Sequence, residues 1–148
     1  MAEAMKNTPE LRETNDFSSM LSLARESGLE SDHLTGIVSA YGFYLDGILV
    51  GCAALKKGDD QFMLECLAVA ENMRGRGLGR TLVARIEKEA GVKGARKLWA
   101  IARQPSFFER IGYRVSSASD SGAPKNDDCM TCPQFGKSCC PAIVVKDL

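Results

Sequence analysis

The apolar positions of this chain switch between two periods, and the switches mark out its elements. From Asp16 to Gly28, Phe17, Met20, Leu21 and Ala24 recur at helical spacing, so a helix capped by Asp16 is expected after a short strand opening at Leu11. Ser31 is placed to cap a second, shorter helix that takes in Leu34 and Ile37. From Tyr41 the period becomes that of strands. Gly42 to Leu45 and Ile48 to Leu55 flank Asp46-Gly47, a dipeptide suited to a tight hairpin turn, and a polar turn leads to a further strand from Phe62 to Val69. The helical period returns with Leu78, Leu82, Val83, Ile86 and Ala90, and Gly91 and Gly94 supply its stop signals. Lys97 to Ala102 reads as a buried strand parallel to its predecessor, Pro105 starts a short helix running to Ile111, and Tyr113 to Val115 opens another strand. Residues 116–128 are turn-forming and charged, a surface excursion from which Ala142 to Val145 returns to the sheet beside residues 97–102. The fold class is α/β (α+β), a mixed and mostly antiparallel central sheet flanked by helices.

The stretch that carries candidate chemistry joins the strand at 64–69 to the helix from Leu78. Between them, Arg74-Gly75-Arg76-Gly77-Leu78-Gly79-Arg80 alternates glycine with other residues. Glycine lets the backbone turn sharply and approach a ligand closely, and the first amides of a helix have no intrahelical acceptor. Those amides, the positive end of the helix dipole and the arginines all attract one anionic group, as a pyrophosphate cradle does. No Gly-Lys-Ser/Thr follows, which speaks against a Walker loop, and glycines at 75, 77 and 79 do not meet the dinucleotide spacing Gly-x-Gly-x-x-Gly.

Arg74-x-x-Gly77-x-Gly79, preceded by Leu67-Ala68-Val69 and followed by Phe107-Phe108-Glu109-Arg110-Ile111-Gly112-Tyr113, resembles the GNAT superfamily of acetyl-CoA-dependent N-acetyltransferases. The resemblance implies a splay between the fourth and fifth strands that holds acetyl-CoA. By that likeness Leu67, Ala68 and Val69 meet the pantetheine arm, with an amide near Ala68 or Val69 polarising the thioester. Arg74, Gly75, Arg76, Gly77, Leu78, Gly79 and Arg80 then take the pyrophosphate. Glu65 stands where related enzymes often carry a general base, and it either draws a proton from the amine or pairs with a basic neighbour. Phe108 stands beside the coenzyme sulfur where many members have a tyrosine acid. Water or Ser106 would then protonate the thiolate, unless it leaves unprotonated, and Tyr113 is assigned to the core. Within the superfamily the chain is most similar to stand-alone amino-acid acetyltransferases like N-acetylglutamate synthase. It departs from them at Met63, where they tend to be acidic, and at Glu65-Cys66, where they tend to have arginine and serine. A carboxylate at 65 repels a dicarboxylate acceptor, so glutamate is the alternative substrate.

Charge and cysteine content narrow the rest. Lysine plus arginine and aspartate plus glutamate balance at 19 each, so nothing marks a nucleic-acid partner. No apolar run suits a membrane span, and Met-Ala-Glu-Ala-Met-Lys lacks a signal-peptide core, so a cytoplasmic protein is expected. The 148 residues suit one domain, 1–148, with a cysteine-rich excursion at 116–141. The one histidine, His33, has no nucleophile motif around it and suits a surface or capping role. Cys129, Cys132, Cys139 and Cys140 would hold one zinc or a small iron–sulfur cluster, form a disulfide or redox pair, or stay unligated. Cys52 and Cys66 sit between apolar strand neighbours and suit buried packing. The expected activity is acetyl transfer from acetyl-CoA to the primary amine of a small molecule or amino acid, with a homodimer left open. A non-catalytic CoA-binding or cysteine-based metal or redox sensor is the competing reading.

Overall fold

The Asp46-Gly47 turn sets the register at the centre of the sheet. Both residues have positive φ, 51° and 80°, the geometry that lets a two-residue turn follow the twist of its strands. It joins β2 (Ile37–Leu45) to β3 (Ile48–Lys57) in a computed structural model that describes residues 8–28, 34–58, 61–116 and 142–148. The other elements are β1 (Glu10–Glu13), α1 (Phe17–Glu26), β4 (Phe62–Val69), α2 (Leu78–Val92), β5 (Lys97–Ala102), α3 (Pro105–Arg110), β6 (Arg114–Val115) and β7 (Ala142–Asp147). Among the described residues the strands form one sheet in the order β1-β2-β3-β4-β5-β7-β6. Among these described strands only the β4–β5 pair is parallel.

Helices cover both faces of β3, which is why Val50 to Leu55 reads as an unbroken apolar run. Ala53 and Leu55 face α2, whose Leu82, Val83, Ile86 and Ala90 are all buried, as the helical period predicted. Cys52 and Ala54 face α1, against Met20, Leu23 and Ala24. The Asp16 cap holds that helix in place: its carboxylate accepts from the Ser19 hydroxyl at 2.7 Å and the Ser19 amide at 3.2 Å. Those bonds hold the Asp16 carboxyl below its ordinary pKa.

Two expectations need correction. Ile37 does not belong to a second helix: it opens β2 opposite Lys56, and Leu34 lies outside any helix. An apolar pair three residues apart suits one face of a helix, but two residues are too few to fix a period, and here the ladder with β3 decides, with Gly36 at φ 70° turning the chain just before the strand. Gly91 lies inside α2, and the stop comes at Gly94 (φ 92°) after the cap at Lys93. Ser31 and His33 lie outside the described residues.

Candidate active site

The site begins where β4 leaves β5. The two strands pair from Phe62↔Leu98 to Leu64↔Ala100 and then part, although β4 continues to Val69 and β5 to Ala102. A bulge in β4 accounts for the divergence. Its register with β3 shifts between Ala54↔Glu65 and Cys52↔Ala68, so Cys66 and Leu67 share one partner position, and Cys66 takes a left-handed φ of 56°. An extra residue bends and twists its strand, and here that opens a notch of unpaired backbone on the β5 side.

The ladder also decides which amide faces the notch. Ala70 N–H bonds to the Val50 carbonyl at 2.8 Å, and successive residues of a strand turn their backbone groups to opposite sides. Ala68, opposite Cys52, therefore turns toward β3, and Val69 turns toward the notch. The Val69 carbonyl accepts from Arg74 Nε at 3.1 Å.

Past Val69, a short 3-10 turn (Glu71–Met73) leads into the glycine loop. Gly77 caps α2 at φ 81°, and its carbonyl accepts from the Thr81 amide at 3.1 Å and the Thr81 hydroxyl at 3.0 Å. Helix geometry leaves the amides of Leu78, Gly79 and Arg80 without intrahelical acceptors, all at the same end of α2. The Arg76 and Arg80 residues beside them are exposed. Gly79 faces Phe107: a Cβ there would stand 3.5 Å from the ring, an ordinary van der Waals contact. Arg74, at the head of the motif, is also tied into the fold. Its amide bonds to Glu71, and its guanidinium reaches the Val69 carbonyl and, at 3.5 Å, Ser27 Oγ beyond α1. It braces the end of β4.

Glu65 is the first β4 residue past the last β4–β5 pair, and it shares the α1-facing side of the sheet with its partner Ala54. Its carboxylate is 3.9 Å from Lys56 Nζ, with both side chains about 33% exposed. An ion pair that long and that wet contributes about 0–1 kcal/mol. Phe108 is buried, edge-on to Phe107 and Tyr113 with ring centroids at 5.1 and 5.2 Å. Tyr113 is core as expected. Its hydroxyl donates to Glu87 at 2.8 Å, and burial followed by that carboxylate pushes its pKa up.

Cys52 and Cys66 pack beneath α1: Cys52 Sγ lies 3.3 Å from the Cys66 carbonyl on β4, and Cys66 Sγ lies 3.7 Å from the Met20 carbonyl on α1. The hydrogen bond between the thiols, reinforced by burial, pushes Cys52 up, whereas the same bond pulls half-buried Cys66 down against its burial and the Glu65 charge. We therefore expect iodoacetamide to label Cys66 in the native protein at lower pH than an ordinary thiol, with Cys52 protected. Peptide mapping after labelling across a pH series checks this, and preferential labelling of Cys52 would contradict it.

The arrangement, a parted strand pair beside a glycine-rich helix start, agrees with comparison to known proteins. The model of the acetyltransferase (GNAT) family matches residues 4–113. The chain belongs to that family. An amino-acid acetyltransferase of Mannheimia succiniciproducens is 32% identical over 85 residues, covering 55% of this chain and 19% of that protein. The fold matches N-acetylglutamate synthase from Neisseria gonorrhoeae, complexed with coenzyme A and N-acetyl-glutamate, with a TM-score of 0.73 at 23% identity over 94% of this chain and 35% of that one. It also matches a GNAT family acetyltransferase from Elizabethkingia anophelis with acetyl-CoA bound, with a TM-score of 0.71 at 18% identity over 97% and 100% of the two chains. The chain thus spans about a fifth to a third of the amino-acid acetyltransferase and synthase it matches. The acyltransferase family and the GNAT-like sheet stand as expected.

Cys129, Cys132, Cys139 and Cys140 lie outside the described residues. Among the described residues no cluster of histidine, cysteine and carboxylate side chains is placed to hold a metal ion, and no helix is long and apolar enough to cross a membrane. Sequence reasoning passed over Phe107, which packs on the loop at Gly79, and Arg110 and Lys146, which line a cleft beside α2. The only signal for Phe107 was its place in the Phe107–Tyr113 run.

Proposed function

We propose that this protein transfers the acetyl group of acetyl-CoA to the primary amine of a small molecule, with amino acids as the favoured class. The observation that carries this reading is the Val69 amide, turned into an unpaired notch that ends at the glycine loop. A diphosphate on the amides of Leu78, Gly79 and Arg80 would lay the pantetheine arm along β4 and bring the thioester carbonyl to Val69 N–H. That donor stabilises the oxyanion formed when the amine attacks. Glu65 takes the proton of the attacking amine, the carbon–sulfur bond breaks, and the coenzyme leaves as a thiolate. Phe108 offers no proton to it, and exposed Ser106 or water does.

The amino-acid class is supported by the likeness to amino-acid acetyltransferases and to a synthase solved with N-acetyl-glutamate. Glu65 itself disfavours acceptors with a second carboxylate. A thiol-release assay with acetyl-CoA across neutral, basic and acidic amino acids and simple amines tests the proposal. Release is expected with monocarboxylic amino acids or simple amines above dicarboxylic ones. Tight CoA binding without thiol release from any amine would favour the non-catalytic sensor.

A further inference from the structure

The bulge in β4 also brings two thiols together. Cys66 and Leu67 share one position opposite β3, and their side chains go to opposite faces of the sheet: Leu67 packs in the core under α2, and Cys66 joins Cys52 under α1. The two sulfurs converge on one carbonyl, that of Met20, with Cys52 Sγ at 4.0 Å and Cys66 Sγ at 3.7 Å. Cys52 Sγ is also 3.3 Å from the Cys66 carbonyl, so the thiols lie side by side across β3 and β4. Cys52 is wholly buried, whereas Cys66 is partly open to solvent. The bulge leaves Cys66 without a partner in the ladder and holds it at a left-handed φ of 56°, an uncommon conformation for a residue with a side chain. The acetyl transfer described above uses neither thiol.

We propose that Cys66 is a site of reversible oxidation: a peroxide oxidises its sulfur, Cys52 resolves the product as a disulfide between β3 and β4, and acetyl transfer falls while that bond stands. An accessible thiol beside a buried partner is the arrangement of an attacking and a resolving cysteine. The bond from Cys52 that pulls the Cys66 pKa down raises its share of thiolate, the form that attacks. The thiolate attacks one peroxide oxygen, the O–O bond breaks, and the hydroxide that leaves takes up the proton Cys66 gave up. Cys66 is then a sulfenic acid. The Cys52 sulfur attacks it, the S–S bond forms, the S–O bond breaks, and the departing hydroxide takes the Cys52 proton. Two thiols lose two electrons and two protons in all, and hydrogen peroxide becomes two waters. Bonding the sulfurs draws them closer than hydrogen-bond contact, so the bulge shifts toward β3 and carries with it Glu65, the residue before it, and the mouth of the notch. The effect on transfer rests on the notch being where transfer occurs, and the crosslink does not.

The test treats the full chain with hydrogen peroxide, removes the peroxide, blocks the remaining thiols and maps unreduced tryptic peptides. Peptides 26–56 and 58–74 carry one cysteine each, Cys52 and Cys66, so a crosslink between them is distinct from any within residues 129–140. That crosslink should form, acetyl transfer should fall, and dithiothreitol should reverse both. Cys66→Ser should lose the crosslink and the sensitivity of its rate to peroxide. Cys52→Ala should leave Cys66 as a sulfenic acid that dimedone captures, with far less capture in the wild type. Crosslinks confined to residues 129–140, equal peroxide sensitivity in the wild type and Cys66→Ser, or a complete 52–66 crosslink with an unchanged rate would overturn the proposal. A wild type that acetylates no amine would sink the reading of the reaction, and the peptide map and dimedone capture would still uphold or overturn the oxidation site.

Discussion

Replacing Gly77 with valine is expected to lower acetyl-CoA affinity about a hundredfold while the protein stays folded, since losing two charge-assisted hydrogen bonds of 1.5–3 kcal/mol each is an effect of at least that size. Gly77 sits at φ 81° with its carbonyl already holding Thr81. A β-branched residue in that region of backbone space costs about 1–2 kcal/mol and pulls the chain toward negative φ. The amides of Leu78, Gly79 and Arg80 would then no longer converge. A Cβ at 77 meets no protein atom within 4 Å, so the added side chain would also occupy the space assigned to the phosphates. Gly77→Asn separates the two effects, because asparagine tolerates the left-handed region and should keep the amides aligned. Calorimetric titration of CoA into both variants is the measurement, with circular dichroism as the folding control. A folded valine variant with wild-type affinity would move the diphosphate site elsewhere.

Glu65→Gln should reduce kcat/KM by about 10²- to 10⁴-fold, the usual contribution of a positioned general base. Glutamine keeps the size and the hydrogen-bonding reach, and only the ability to accept a proton is lost. The wild-type rate should rise with pH as the carboxylate ionises, and that low-pH limb should disappear in the variant. Since the Lys56 contact is long and exposed, its loss should barely change the melting temperature. The pH profile of kcat/KM for both proteins gives the answer. An unchanged profile would retire Glu65 and leave deprotonation to water in the notch.

Much of this architecture was legible in the residues. The β4 and β5 boundaries, the buried stripe of α2, the Asp16 cap and the Asp46-Gly47 hairpin all follow from local periods and local backbone chemistry. The glycine loop belongs to the same group as a turn between strand and helix, with Gly75 and Gly77 both at positive φ. Such signals are complete within a short window of sequence.

What only the tertiary structure decided depends on partners far away in the chain. Ile37 became a strand residue because β3 offers it a ladder, and nothing next to it in sequence says so. The bulge puts a cysteine, not a glycine, in the left-handed region at position 66, where no turn residue announces it. The choice of Val69 over Ala68 as the amide in the notch is a matter of ladder phase, set by the Ala70–Val50 bond. The Arg74 guanidinium reaches Val69 and Ser27 because the fold brings the end of α1 to the end of β4. Arg110 joins Arg80 on one cleft only once α3 has packed beside α2. Sequence by itself determined most of the segments that become strands and helices, since period, caps and glycines act locally. Register, phase and the meeting of distant side chains were left to the packed sheet, because a hydrogen-bond ladder is a property of two strands and cannot be read from either one.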